Sequence, residues 1–163
     1  MNLLFICTHN RCRSILCEAI TNSFDDPRVR AFSAGSQPAG EVHPLSLKYL
    51  AKQGISTANL RSQSWDDFAG QAIDIAITVC DSAAGESCPL WLGNSPKVHW
   101  GLGDPSKLSG SDADIEAAFN TCIASIQARV QALLALDIEH LDKSELISAL
   151  QKIHTNVSDG VKT

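Results

Sequence analysis

The sequence predicts an α/β fold, a small doubly wound parallel sheet of about four strands flanked by helices. Three observations lead there. Short apolar runs alternate with longer segments of helical periodicity, the pattern of repeated β-α units. Two of the runs, residues 3–6 and 73–80, are nearly continuous in apolar residues, which suits strands covered on both faces. The loops that follow the predicted strands carry most of the chemically reactive residues, as expected where ligand binds beyond the carboxyl ends of a parallel sheet.

Taken in order, residues 3–6 form the first strand, and a helix opens near Ser14 and ends before Asp25-Asp26-Pro27. Residues 28–34 alternate as a second strand and stop at Gly35. A loop over 37–40 leads to a helix over 44–53, with Leu45, Leu47, Tyr49 and Leu50 available for a buried face and Gly54 as its cap. Residues 55–63 are irregular, and residues 64–68 read as a short capped turn. Residues 73–80 are the third strand and 97–100 the fourth. A long helix over 112–136 carries the apolar stripe Ile115, Phe119, Cys122, Ile123, Ile126, Val130 and Leu133. Residues 144–153 form a last helix, and the polar tail beyond His154 is expected to be mobile. The 163 residues suffice for one domain, with residues 1–140 as its body and 141–163 as a C-terminal helix and tail of the same domain.

Composition narrows the function. A net charge of −5 provides no basic face for nucleic acid, and the apolar runs are far short of a membrane span. With no leader ahead of the first strand, a cytoplasmic protein is expected, and a monomer. Six cysteines in such a chain point to reactive, metal-binding or buried thiols rather than permanent disulfides.

The segment Cys7-Thr8-His9-Asn10-Arg11-Cys12-Arg13-Ser14 joins the first strand to the first helix. A strand that turns into a helix directs loop N–H groups and the positive helix end toward one point, an oxyanion cradle. Cys7 opens the loop, and beside a helix N-terminus and a guanidinium its pKa is expected to fall to roughly 3.5–7.5, leaving it largely thiolate. Arg13 offers a planar fork for two oxygens of a tetrahedral anion. Ser14 could cap the helix and donate to the sulfur. These residues resemble the phosphate-binding loop of the low-molecular-weight tyrosine phosphatase superfamily, which carries Cys-x5-Arg-Ser near the N-terminus of a small α/β domain. Its Ser-Ala-Gly strand end is matched by Ser33-Ala34-Gly35. Two activities share that scaffold, phosphotyrosine hydrolysis and arsenate reduction.

A strand-end cysteine, Cys80, is followed across a small glycine-containing segment by Cys88-Pro89. A segment with few buried contacts can rearrange, so two sulfurs apart in one state could meet in another. Zinc sites use tighter spacing and four ligands; two merely buried cysteines remain an alternative. Thr78-Val79-Cys80, Cys88-Pro89, His99-Trp100-Gly101 and Asp104-Pro105 resemble the arsenate reductases of the superfamily that use a three-cysteine relay. Ser106-Lys107 follow Asp104-Pro105 where phosphatases usually place aromatic residues.

The resemblance implies that residues 8–14 and Arg13 bind arsenate, with phosphate or sulfate competing, while Cys7 attacks arsenic and Asp104 acts as general acid. Cys80 would then attack Cys7, releasing arsenite, and Cys88 would attack Cys80. Thioredoxin, or glutathione with glutaredoxin, would reduce the Cys80–Cys88 disulfide, and the chain would need no metal or organic cofactor. Alternatives are a tyrosine phosphatase regulated by its extra cysteines and a non-enzymatic oxyanion- or metalloid-binding module. Cys12 could trap Cys7 in a protective disulfide or simply pack. Asn10, Glu18 and Ser33 match positions that hold a monovalent cation in some relatives, and also read as loop-supporting polar residues. Cys17 and Cys122 read as core, and His43, His140 and His154 show no ligand spacing.

Overall fold

The structure, a computed structural model, describes residues 1–80 and 95–156. Cys88 and the tail beyond residue 156 lie outside the described residues. Asn2–Ile6 form β1, and its side chains at 3–6 are fully buried because neighbours cover both faces. The sheet is parallel throughout in the order β2-β1-β3-β4, with β2 at Arg30–Ala34, β3 at Ile75–Thr78 and β4 at Lys97–His99. The chain leaves β1 for one side of the sheet and returns to its other side with β3. The loops after β1 and β3 therefore diverge, which opens a crevice at their carboxyl ends.

β1 begins one residue before its apolar run, while β2, β3 and β4 are shorter than the segments read from sequence because flanking residues take other bonds. Arg28, expected in β2, clamps Asp26 at 2.8 Å and caps the carbonyls of Leu134 and Leu136 at 2.7 and 3.3 Å. It so ties the turn before β2 to the end of a distant helix.

Four helices are described: α1 at Arg13–Ser23, α2 at Pro44–Lys52, α3 at Asp112–Leu134 and α4 at Lys143–Asn156. Ser111 and Asp114 close a capping box at the start of α3, which fixes its first turn. The predicted α3 stripe is buried from Phe119 to Leu133, with Ile115 at its edge, but Arg129 and Ser125 are buried in it as well. On α2 the buried residues are Ser46, Tyr49 and Leu50, while Leu47, expected on that face, is exposed. Tyr49 stacks on Phe119 at 4.9 Å, and that contact sets the rotation of α2. Gly54 lies one residue past the Gln53 cap, at a φ of +72°. The last helix, α4, covers the β4 edge. Trp100, fully buried after β4, donates its indole N–H to the Leu150 carbonyl at 2.9 Å.

The outer edge of β2 is closed by side chains. Arg30 and Ala34 bond toward β1, so Ala31, Ser33 and Gly35 face outward. Asn22 accepts from the Ala31 N–H at 2.9 Å and donates to its carbonyl at 3.0 Å. Glu18 accepts from the Ser33 N–H, and Gln63 Nε2 donates to the Ser33 carbonyl at 3.1 Å. Gly35 N–H donates to the Gln63 carbonyl at 2.9 Å, and the Gly35 carbonyl accepts from the Trp65 N–H at 3.0 Å. Phe32 packs edge-on against Phe68 beside this seam.

Candidate active site

The loop from Cys7 to Arg13 curls over the end of β1 with its carbonyls turned outward. Thr8 O accepts from Gln37 N–H, His9 O from Ala39 N–H and Arg11 O from His43 N–H, at 2.9, 3.0 and 2.9 Å. With carbonyls outside, N–H groups face the concave side, as an anion cradle requires. The His9 N–H reaches the Cys7 sulfur. Gly35 lets the loop come this close: a Cβ there would lie 2.5 Å from Thr8 O and 2.8 Å from Cys7 O.

Asn10 sets the loop's bend. It is fully buried in the left-handed region at a φ of 45°, a conformation Asn tolerates better than most residues. Its Nδ2 donates to Ser14 Oγ at 2.8 Å and its Oδ1 accepts from Gln63 N–H at 2.8 Å. Ser14 thus serves as a buried anchor for Asn10 rather than as the helix cap; the capping position is Cys12, without a side-chain cap bond. The predicted cation residues do meet, but Asn10 Oδ1, the Ser33 carbonyl and Glu18 Oε1 each already accept a protein donor. That arrangement fits a supporting network around the loop. Burial raises the Glu18 pKa, and the bonds from Ser33 oppose it.

Arg13, the first residue of α1, crosses toward the segment after β4. Its Nη1 donates to Leu102 O at 3.1 Å, and its Nη2 lies 3.6 Å from Asp104 Oδ2. Its buried Nε has no partner among the described residues, so it is available to an oxyanion. Asp104 Oδ1 accepts from Ser106 N–H at 3.0 Å and from Ser106 Oγ at 2.6 Å, which fixes the carboxyl beside Arg13. Thr8, His9 and Arg11 lie at the rim: the His9 ring pairs with Gln37 O at 3.1 Å, and Arg11 is exposed.

Cys80 lies beside Cys7. Parallel pairing of Ile6 with Thr78 continues as Val79 N–H to Ile6 O at 3.0 Å, which puts the two cysteines at neighbouring strand ends. Thr8 Oγ1 is 3.7 Å from the Cys80 sulfur, and Cys80 is close enough to Cys7 to be the foremost influence on its pKa. The expected lone thiolate is therefore corrected. Cys80 and burial push the Cys7 pKa up, while Arg13 and the His9 N–H pull it down. With two buried sulfurs side by side, ionisation of Cys7 is coupled to that of Cys80. Cys88 lies outside the described residues.

Cys12 hydrogen-bonds Ser46 and Ser106, and burial raises its pKa to about 11. Cys17 and Cys122 are core residues as expected, Cys17 pushed up by burial to about 12 with Arg129 opposing. Because the folded chain holds these protons more tightly than the unfolded chain, stability is full below about pH 8.5 and declines above it. We expect urea-unfolding free energy to fall between pH 8.5 and 10.5 by up to about 1.4 kcal/mol per pH unit for each such thiol. A flat profile would refute the raised values.

Several contributors carry no local periodic signal. Ser46, which donates to Arg11 O at 3.4 Å, could have been noticed as a polar residue within the inner face of α2. Ser106 two residues after Asp104 has the spacing of a side-chain turn. Gln63 and Arg129, which donates to Gly101 O at 3.4 Å, had no such cue.

The chain matches the low molecular weight phosphotyrosine protein phosphatase family over residues 2–147. It is 32% identical to an arsenate reductase of Halalkalibacterium halodurans across 79% of this chain and 91% of the relative. The crystal structure of an arsenate reductase from Archaeoglobus fulgidus matches with a TM-score of 0.67 and 25% identity, covering 82% of this chain and 99% of that one. A thioredoxin-dependent arsenate reductase from Corynebacterium glutamicum matches with a TM-score of 0.56 and 28% identity, over 80% of this chain and 61% of that one. A loop of this spacing on this sheet, with such relatives, has one assignment: the chain belongs to the low molecular weight phosphotyrosine protein phosphatase family.

Proposed function

We propose that this protein reduces arsenate to arsenite, with Cys7, Cys80 and Cys88 as the sulfur relay. One observation carries the reading: Cys80 lies beside Cys7, at the end of the neighbouring strand. A hydrolase needs one sulfur at this point, and a reductase needs a second within reach of the first. The arsenate reductases among the relatives support it.

Arsenate sits in the loop formed by Thr8, His9, Asn10, Arg11, Cys12, Arg13 and Ser14, paired by Arg13. Phosphate and sulfate, being tetrahedral oxyanions, compete there. One of the pair's sulfurs, Cys7, attacks arsenic and displaces an oxygen. Asp104 Oδ2 supplies the proton, since Oδ1 is committed to Ser106, and the oxygen leaves as water. Cys80 thiolate then attacks the Cys7 sulfur. The sulfur–arsenic bond breaks with its electron pair on arsenic, so arsenate becomes arsenite and a Cys7–Cys80 disulfide forms. Cys88 attacks Cys80, frees Cys7 and leaves a Cys80–Cys88 disulfide for an external dithiol. Thioredoxin is the favoured donor because one relative is named as thioredoxin-dependent; glutathione with glutaredoxin is the other candidate. A cytoplasmic monomer engaging neither nucleic acid nor membrane accompanies this reading. Among the described residues no helix is long and apolar enough to cross a membrane.

The test supplies arsenate, thioredoxin, thioredoxin reductase and NADPH. NADPH consumption that stops on Cys7→Ser, Cys80→Ser or Cys88→Ser is expected. Continued turnover in Cys88→Ser would exclude the relay and point to direct reduction of the Cys7–Cys80 disulfide by thioredoxin. The family match keeps a phosphatase in view: hydrolysis of a phosphotyrosine peptide without thiols, and no NADPH loss with arsenate, would assign that activity instead.

A further inference from the structure

The relay uses Cys7 and Cys80 one after the other, yet the reduced chain holds them together. Both are almost completely buried, at 6% and 3% exposure, and they stand at the ends of paired neighbouring strands. Each is carried on the end of an inner strand, β1 and β3, and so is held by the ladder rather than by a free loop. Thr8 Oγ1, at 3.7 Å, further restrains the Cys80 side chain. We propose that this reduced pair is a bidentate binding site for trivalent arsenicals, a ligand class separate from the oxyanions of the cradle.

The chemistry is a condensation and not a redox step. An arsenoxide, R–As=O, meets two thiols; two As–S bonds form and the As=O bond breaks. The oxygen and both thiol protons leave as one water, and arsenic stays trivalent throughout. Thiolate is a soft ligand suited to a soft, thiophilic centre. Two sulfurs held side by side make the second bond intramolecular, worth about 10²–10⁴-fold over a single thiol. The other described cysteines offer no such pair at the crevice. Cys12 is hydrogen-bonded to Ser46 and Ser106, while Cys17 and Cys122 are sealed in the core.

The site rests on the thiol geometry and stands whether or not the chain reduces arsenate. Occupancy consumes Cys7, so a bound trivalent arsenical excludes reaction at the cradle, and the Cys7–Cys80 disulfide cannot bind it. Were arsenite the product, it would restrain the reduced protein in competition with arsenate.

Phenylarsine oxide is the probe, added to the full-length reduced protein. One equivalent should lower the titratable thiol count by two. Iodoacetamide should then leave Cys7 and Cys80 unmodified by peptide mass. Cys7→Ser and Cys80→Ser should each weaken binding by about 10²-fold or more. Cys122→Ser and Cys88→Ser should bind as the wild type does, and 2,3-dimercaptopropanol should release the probe where a monothiol does not. Protection of Cys80 together with Cys88, or undiminished affinity in Cys7→Ser, would overturn the site. If a serine variant fails to fold by circular dichroism, the protection pattern in the wild type decides. Tight binding with this pattern but no NADPH loss on arsenate would uphold the site and sink the reductase reading alone.

Discussion

Replacing Gly35 by alanine should cost about 1–3 kcal/mol of stability and most of the affinity for phosphate. Gly35 has no need of an unusual backbone angle; it is required for space. A methyl there would sit 2.5 Å from the Thr8 carbonyl and 2.8 Å from that of Cys7, both backbone atoms of the anion loop. Neither is the end of a flexible side chain, so either the loop lifts or β2 retreats. Lifting the loop would disturb the bonds from Gln37 and Ala39 that turn its carbonyls outward. Retreat of β2 would strain the seam to Gln63 and Trp65. Thermal unfolding should register the loss as about 2–4 °C per kcal/mol for a chain of this size, and calorimetric titration with phosphate should register the second effect. Gly70→Ala, whose added methyl meets nothing within 4 Å, serves as the control and should behave as wild type. Unchanged phosphate affinity in Gly35→Ala would contradict the close approach.

The second large effect concerns Cys80. Its side chain is the foremost influence raising the Cys7 pKa, and its own charge acts in the same direction. Cys80→Ala removes both. Burial then opposes Arg13 and the His9 N–H alone, so the Cys7 pKa must fall. Alkylation of Cys7 by iodoacetamide, followed by peptide mass across pH, should show its midpoint moved to lower pH. Steady arsenate-dependent NADPH consumption should meanwhile drop to background. The two readouts move in opposite senses: the variant holds a readier nucleophile that cannot complete a cycle. An unmoved or raised midpoint would show that Cys80 does not raise the Cys7 pKa.

The fold was readable because its signals are local. Residues 3–6 are apolar on both sides of the pleat, and only a central strand buries both. The α3 stripe follows helical spacing from Phe119 to Leu133 for the same reason. Cys7, Arg13, Cys80 and Asp104 could be placed at one sheet edge since each follows a strand or opens a helix. What was not readable depends on residues far apart in the chain. Asn10 meets Gln63 across 53 positions, and no periodicity announces such a partner. Arg129 breaks an apolar stripe without showing that it lies inside, where it reaches Gly101. The Cys7 pKa was misjudged because the helix end and Arg13 were visible in the sequence while the neighbouring sulfur was not. Leu47 illustrates the reverse: an apolar residue near a buried face that tertiary rotation leaves in water.

The closed margin of β2 bears on how this protein behaves when crowded. A border strand with vacant amides is a template on which a foreign strand, or another copy, can start a fibril. Here Asn22, Glu18 and Gln63 already occupy the amide and carbonyl groups such a strand would seek at Ala31 and Ser33. The protein is thereby spared a route to self-templated precipitation, and keeps that protection without a proline in the margin.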